Sequence, residues 1–235
     1  MIEYLARTGS TNADLLARAR AGAVRSGEWL VADRQDAGRG RQGRPWFDET
    51  GNFMGSTALA VLPSDPPPAS LALVAGLAVY ETVLPLLPAP QSLSLKWPND
   101  LMFRGAKLAG VLLERTGDWI VAGIGVNLAH APTVPGRSTV AIADLAPTPG
   151  RNDFADKLAF AFASEVTRWR EFGLELLCRR WEAAAHEQGT ALEIGSPGEE
   201  PIRGAFAGLS PDGALLLRTP GGVQIVRAGD VTVAA

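Results

Sequence analysis

The stretch "KLAGVLLERTGDWIVAGIGVNL", residues 107–128, decides the fold. Two β-like runs, 107–115 and 118–128, flank the short polar turn Thr116-Gly117-Asp118, the pattern of a hairpin. Two shorter β-like runs precede it, "SLSLKW" (92–97) and "LMF" (101–103), so four strands fall in one block. Upstream, "IEYLAR" and "EWLVAD" (28–33) read as short strands and "NFMGSTALAV" (52–61) as a longer one. Between the first two, a helix begins with Ser10 or Thr11 as N-cap and stops at Gly22. The apolar run 66–90 predicts a buried helix over about 69–84; Tyr80, Glu81 and Thr82 interrupt it and Pro85 ends it, leaving too short a run to span a bilayer. After an Ala/Pro/Thr/Gly-rich stretch from Ala129 to Gly150, a candidate functional loop, two helices are expected near 153–172 and 174–187. Hairpins mixed with helices imply an α+β fold with a mixed sheet.

The last 45 or so residues change character. Five short strand-like pieces separated by Gly, Pro and Asp signal a small β-barrel. A boundary near Gly189 gives two domains, 1–188 and 189–235. No internal repeat is visible.

Composition narrows the function. The chain has 235 residues, a net charge of −3, 46% hydrophobic and 20% charged residues, which fits a globular protein with ample core. A general nucleic-acid coat wants a broad basic surface and is not expected. The single Cys178 excludes an internal disulfide framework. No signal pattern opens the chain, so a cytoplasmic location and no membrane association are expected.

Positive charge is nevertheless concentrated in "DAGRGRQGRPW", residues 36–46, where Arg39, Arg41 and Arg44 alternate with Gly38, Gly40 and Gly43. Glycine lets the backbone approach a ligand closely and guanidinium forks match carboxylate or phosphate, so an anion is the natural guest. Lysine is rare, three among 22 basic residues, yet Lys96 and Lys107 fall in one segment, 96–114. An ammonium differs chemically from a guanidinium, which marks both for function. No convincing Ser/His/Asp or Cys/His set occurs. His130 and His186 are too isolated to be metal ligands, Cys178 reads as a packed helix residue, and Glu114 as a strand-end charge.

"STN" (10–12), "GRGRQGRPW", "KWPNDLMF…KLAGVLLE" and "GIGVNL", in that order and spacing, resemble the biotin protein ligase family over essentially the whole chain. The resemblance implies a class II aminoacyl-tRNA synthetase-like catalytic domain and an SH3-like C-terminal barrel. It implies that biotin and ATP, with Mg²⁺ accompanying the ATP, give biotinyl-5′-AMP, and that a lysine of a biotin carboxyl carrier protein or domain then displaces AMP. Only nine residues precede "STN", which leaves no room for the helix-turn-helix some members carry; no DNA binding is expected. The acceptor carboxylase and the oligomeric state, homodimer included, stay open.

By the same resemblance, Ser10, Thr11, Asn12 and Gln35 face biotin, whose ureido ring suits short hydroxyl and amide groups. Arg39, Gly40 and Arg41 match biotin and adenylate contacts, with Arg44 a further ATP contact and Trp46 a platform for adenine. Lys107 lies between biotin's carboxylate and the α-phosphate. Asn99 and Asp100 reach an ATP-bound Mg²⁺ or hold the lysines, and Asp100 is a candidate to help take the acceptor lysine's proton. Gly110, Gly123 and Gly125 let biotin's rings lie flat on the sheet, and Asn127 meets the nucleotide. Two alternatives remain: a lipoate ligase or octanoyltransferase of the same superfamily, and a non-catalytic nucleotide- or RNA-binding protein. Against the second, residues 189–235 carry Arg203, Arg218 and Arg227 against Glu193, Glu199, Glu200, Asp212 and Asp230.

Overall fold

The computed structural model describes residues 1–47, 50–195 and 200–233. Glu199, counted above, and the last two residues of the fifth C-terminal strand run lie outside them. The N-terminal region builds a seven-stranded sheet from β1 (Ile2–Leu5), β2 (Trp29–Ala32), β3 (Phe53–Ala60), β4 (Leu93–Lys96), β5 (Asp100–Phe103), β6 (Ala106–Thr116) and β7 (Trp119–Val126). Their order is β1-β2-β3-β7-β6-β5-β4, with β1 and β2 parallel and the other pairs antiparallel. The expected hairpin is β6–β7, and Gly117 takes φ +54° in its turn.

Side chains alternate across this sheet, and the alternation sorts its two faces. Along β7, Ile120, Ala122, Ile124 and Val126 face the main core, beneath α2 (Leu71–Val83). Val121 belongs to a second, smaller cluster with Leu30, Ala58 and Leu15, Leu16 and Ala19 of α1 (Thr11–Arg20). Gly123 and Gly125, on the Val121 face, carry no side chain, so the sheet is bare just beyond the cover of α1.

Helix α1 starts where expected: the Ser10 side chain accepts from the Ala13 N–H at 3.4 Å. Asp14 lies in its first turn and Arg18 and Arg20 in its last, each complementing the helix dipole. Gly22 follows at φ +67°. Helix α2 is apolar all round, as a helix between a sheet and another helix must be. Counted with its flanking 3₁₀ turns, Pro68–Leu86 is 19 residues of mean hydropathy 1.7, longer than the sequence reading allowed. Most of it is buried inside the fold.

The two C-terminal helices form as one run, α3 (Arg151–Ala183), broken at Gly173, whose φ of +69° and ψ of −161° are not helical. The expected break is therefore present, but helix ends at Ala183 rather than near 187. Buried Glu165 before the break and Arg180 after it pair with each other, and Arg180 also pairs with Glu81 of α2. A buried carboxylate needs such partners. Trp169 donates its indole N–H to Ser70 Oγ at 2.8 Å, fixing α3 on α2.

All five C-terminal runs are strands: β8 (Ala191–Gly195), β9 (Ile202–Leu209), β10 (Leu215–Thr219), β11 (Gly222–Val226) and β12 (Asp230–Val233). They form an antiparallel sheet ordered β11-β10-β9-β8-β12, consistent with a small β domain. Its buried Leu192, Phe206, Leu215 and Leu217 belong to the same apolar core as α2 and α3. Trp97 donates to Gly213 O at 3.2 Å and Leu209 N–H donates to Glu182. These contacts bring β12 to the mouth of the bare sheet face.

Candidate active site

Over the bare face lies a cavity of about 590 Å³, within the range of small-molecule sites. Its floor comes from register: Gly110 on β6 pairs directly with Gly125 on β7, and Leu112 with Gly123. A Cβ on Gly125 would stand 2.2 Å from Trp46 Cζ2, and one on Gly123 would stand 2.4 Å from Asn12 Oδ1. Gly110 is close to both Trp46 and Lys107, at 3.3 and 3.0 Å from a notional Cβ. The three glycines thus accept close approach of protein side chains. The groups that use the space are the Trp46 indole and the Asn12 amide.

One wall is polar. Gln35 Oε1 accepts from the Thr11 backbone N–H at 2.7 Å and lies 3.1 Å from the Thr11 hydroxyl. The Thr11 and Ser56 hydroxyls are 2.7 Å apart, and Ser56 Oγ donates to Asn12 Oδ1 at 2.6 Å. Asn12 Nδ2 donates to Glu114 Oε2 at 2.7 Å. Thr11, Asn12, Gln35 and Ser56 are all buried, so this is a connected buried network ending on an exposed carboxylate. Glu114 is therefore more than a strand-end charge, because it anchors Asn12. Ser56 was not foreseen. It is the β3 residue opposite Gly123, a position recognisable only once the strands are paired.

The opposite wall is basic. Arg39, Gly40, Arg41 and Arg44 border the cavity. The loop closes on itself through Gly40 N–H to Arg44 O at 2.7 Å and Trp46 N–H to Gly38 O at 2.9 Å. Gly38 is needed there, since a Cβ would lie 3.2 Å from Trp46 O; Gln42 and Gly43 turn the chain at φ +58° and +70°. Arg41 donates to Asn99 Oδ1 at 3.0 Å and to Gly229 O at 3.1 Å. Arg44 pairs with Asp230 on β12. Burial pushes the Asp230 carboxyl up, but Arg44, with Arg41 and Arg137, outweighs it and holds the group below the ordinary aspartate value. Pro45, at the loop exit, forms a bridge with Arg39.

Between the walls, Asp100 sits 2.5 Å from Lys107 Nζ and 3.1 Å from Lys96 Nζ, with only 12% of its side chain exposed. Burial alone would raise its pKa; the two ammonium groups reverse that and lower it. A carboxylate between two ammonium groups is a weaker base than a free one, which counts against Asp100 as a proton acceptor. Asp100 bridges the two lysines. Lys96 also donates to Val231 O at 2.9 Å, a second tie to β12, and Lys107 Nζ lies 5.8 Å from the Trp46 ring centroid. Asn99 uses its amide on Val111 O at 2.6 Å. Asn127 lines the cavity and donates its amide N–H groups to Lys107 O and Val140 O. That fastens the stretch 132–139, which completes the rim beside Lys107 through Lys107 N–H to Ser138 O.

Among the described residues no three His, Cys, Asp or Glu side chains come together to hold a metal ion. His186 is half-buried beside Ser94, and burial, then the nearby Lys96, lowers its pKa. Cys178 is buried and packed, as expected.

A glycine-floored sheet with a polar amide wall on one side and convergent Arg and Lys on the other defines a small-molecule site suited to an anionic ligand. Residues 4–129 match the model of the biotin/lipoate A/B protein ligase family, and residues 193–233 match the biotin protein ligase C-terminal domain. The biotin–[acetyl-CoA-carboxylase] ligase of Mycobacterium tuberculosis is 37% identical, with 98% of this chain and 88% of that protein covered. The enzyme of the same name from Paracoccus denitrificans is also 37% identical, over 97% and 98% of the two chains. Among solved structures, the biotin protein ligase of Aquifex aeolicus in complex with biotin and ATP superposes with a TM-score of 0.84 at 27% identity, covering 99% of this chain and 98% of the other. The chain belongs to the biotin/lipoate A/B protein ligase family, and within it to the ATP-dependent biotin protein ligases.

Proposed function

We propose that this chain joins biotin to ATP and then to a lysine of a biotin carboxyl carrier protein or domain of a carboxylase. In the first step a biotin carboxylate oxygen attacks the α-phosphorus, the bond to the β-phosphate breaks, and biotinyl-5′-AMP and pyrophosphate form. In the second, the acceptor amine attacks the acyl carbon, the acyl–phosphate bond breaks, AMP leaves and the amine's proton passes to solvent. The observation that carries this reading is the Lys107–Asp100–Lys96 cluster facing the arginine loop across a floor of glycines. Two anions repel, so most of the task is to hold them together in fixed positive charge.

Ser10, Thr11, Asn12 and Gln35 take the ureido group, and the rings lie along Gly110, Gly123 and Gly125. Arg39, the Gly40 backbone and Lys107 take the biotin carboxylate. Lys107 and Arg41 act on the α-phosphate, with Arg44 and Asn99 beside the nucleotide and Asn127 positioning Lys107's strand. Trp46 leaves the floor to stack on adenine. With Asp100 neutralised by lysines, the described residues supply no metal cage; Mg²⁺ enters as the counterion of the ATP phosphates. Residues 1–188 act as the catalytic domain and 189–235 as a small SH3-like one, in a cytoplasmic protein without nucleic-acid or membrane partners. Biotin-dependent exchange of labelled pyrophosphate into ATP tests the reading. Exchange with lipoate instead of biotin, or none with either, overturns it.

A further inference from the structure

We infer that Glu114 is a positioning residue that sets the hydrogen-bond direction of the whole polar wall, from strand β6 through Asn12 and Ser56 to Thr11. The inference rests on the reading of this wall as the biotin ureido subsite. An ionised carboxylate only accepts hydrogen bonds, so the Asn12 side facing Glu114 Oε2 at 2.7 Å must be its NH₂. The Asn12 oxygen therefore faces Ser56, whose single hydroxyl proton goes to it at 2.6 Å. Ser56 Oγ has no proton left for Thr11, so the single Thr11 proton, which has Gln35 Oε1 as a second acceptor at 3.1 Å, goes to Ser56 across their shorter 2.7 Å contact. The Thr11 hydroxyl is then left with its lone pairs turned toward the cavity, ready to accept from a ligand N–H. Gln35 Oε1 stays occupied by the Thr11 backbone N–H.

Each hydroxyl has one proton, so the chain has two self-consistent directions. With a donor in place of Glu114, the Asn12 amide turns over, Ser56 donates to Thr11, and a Thr11 lone pair is consumed. The wall would then match the ureido N–H groups less well. No other carboxylate touches Asn12 or Ser56 among the described hydrogen bonds, so the bias comes from a residue 102 positions away in sequence.

The test compares wild type, Glu114→Lys, Asn12→Asp and the double variant by biotin titration calorimetry, with thermal melting and the ATP KM of pyrophosphate exchange as controls. Losing one well-placed hydrogen bond predicts about three- to tenfold weaker biotin binding in Glu114→Lys. Asn12→Asp alone should be worse, with two carboxylates in contact. In the double variant the introduced ammonium donates to the introduced carboxylate, which again accepts from Ser56. The original direction then returns, and affinity recovers to within about threefold of wild type. Melting temperature and ATP KM should not follow this pattern; a merely structural role would move them together. Wild-type affinity in Glu114→Lys, or no recovery in the double variant, overturns the inference. Wild-type protein that fails to bind biotin at all would instead overturn the functional reading beneath it.

Discussion

Lys107→Ala separates the chemistry of the site from its stability. In the folded protein Asp100 is largely buried, with Lys107 Nζ at 2.5 Å and Lys96 Nζ at 3.1 Å. Removing one partner from a buried ion pair costs about 3–5 kcal/mol when the remaining charge is stranded. Here Lys96 stays, so roughly half of that, about 2 kcal/mol, is expected. For a chain of this size that lowers the melting temperature by about 4–8 °C. Catalysis should fall further: one charge-stabilising contact at a transition state is worth about 3–4 kcal/mol, a loss of two to three orders of magnitude in adenylate formation. The assay is pyrophosphate exchange at saturating biotin and ATP, with biotin affinity measured alongside and expected to weaken less. Adding Asp100→Asn to Lys107→Ala removes the stranded carboxylate, so the double variant should regain thermal stability without regaining exchange. Near-normal exchange in folded Lys107→Ala, or exchange returning together with stability in the double variant, would refute the reasoning.

Three further outcomes follow from the site. Arg41→Gly removes the ties to Asn99 and Gly229 and should damage retention of the adenylate more than its synthesis, so that serum albumin incubated with the variant, ATP and biotin becomes biotinylated. Unlabelled albumin with synthesis intact would mean that Arg41 does not hold the adenylate in the site. Gly125→Ala drives a methyl into the Trp46 indole and, at an overpacking cost of about 1–3 kcal/mol, should lower the melting temperature and weaken biotin binding; a variant unchanged in both would mean that the floor does not need glycine at 125. Asp230's lowered pKa adds stability above its unfolded pKa, near 3.9, and that stability is lost as pH falls through the lower folded value. Melting curves of wild type and Asp230→Asn should therefore differ at neutral pH and converge in acid; a gap that persists in acid contradicts the Arg44–Asp230 assignment.

Much of this molecule was legible in its linear pattern, because the determining interactions there are local. The β6–β7 hairpin follows from two apolar runs around Thr116-Gly117-Asp118, and α1 from Ser10 and Gly22 at its ends. The break in α3 follows from Gly173, and an irregular, arginine-bearing loop from three arginines spaced by glycines. Gly123 and Gly125 are singled out only through the family resemblance; that they share one bare face follows from the strand they form. What that face carries was decided only in three dimensions. Ser56 became part of the site because β3 pairs with β7 in one register, and Glu114 because β6 puts its carboxylate beside an amide 102 residues earlier. That Asp100 lies between Lys96 and Lys107, one of the arrangements the sequence left open, is visible only once β4, β5 and β6 are paired. The C-terminal sheet's hold on Arg41, Arg44 and Lys96 joins residues more than 130 positions apart. A side chain's type and period are written in the sequence, but its protonation, its direction of donation and its partners depend on which other groups the packed chain brings within about 3 Å.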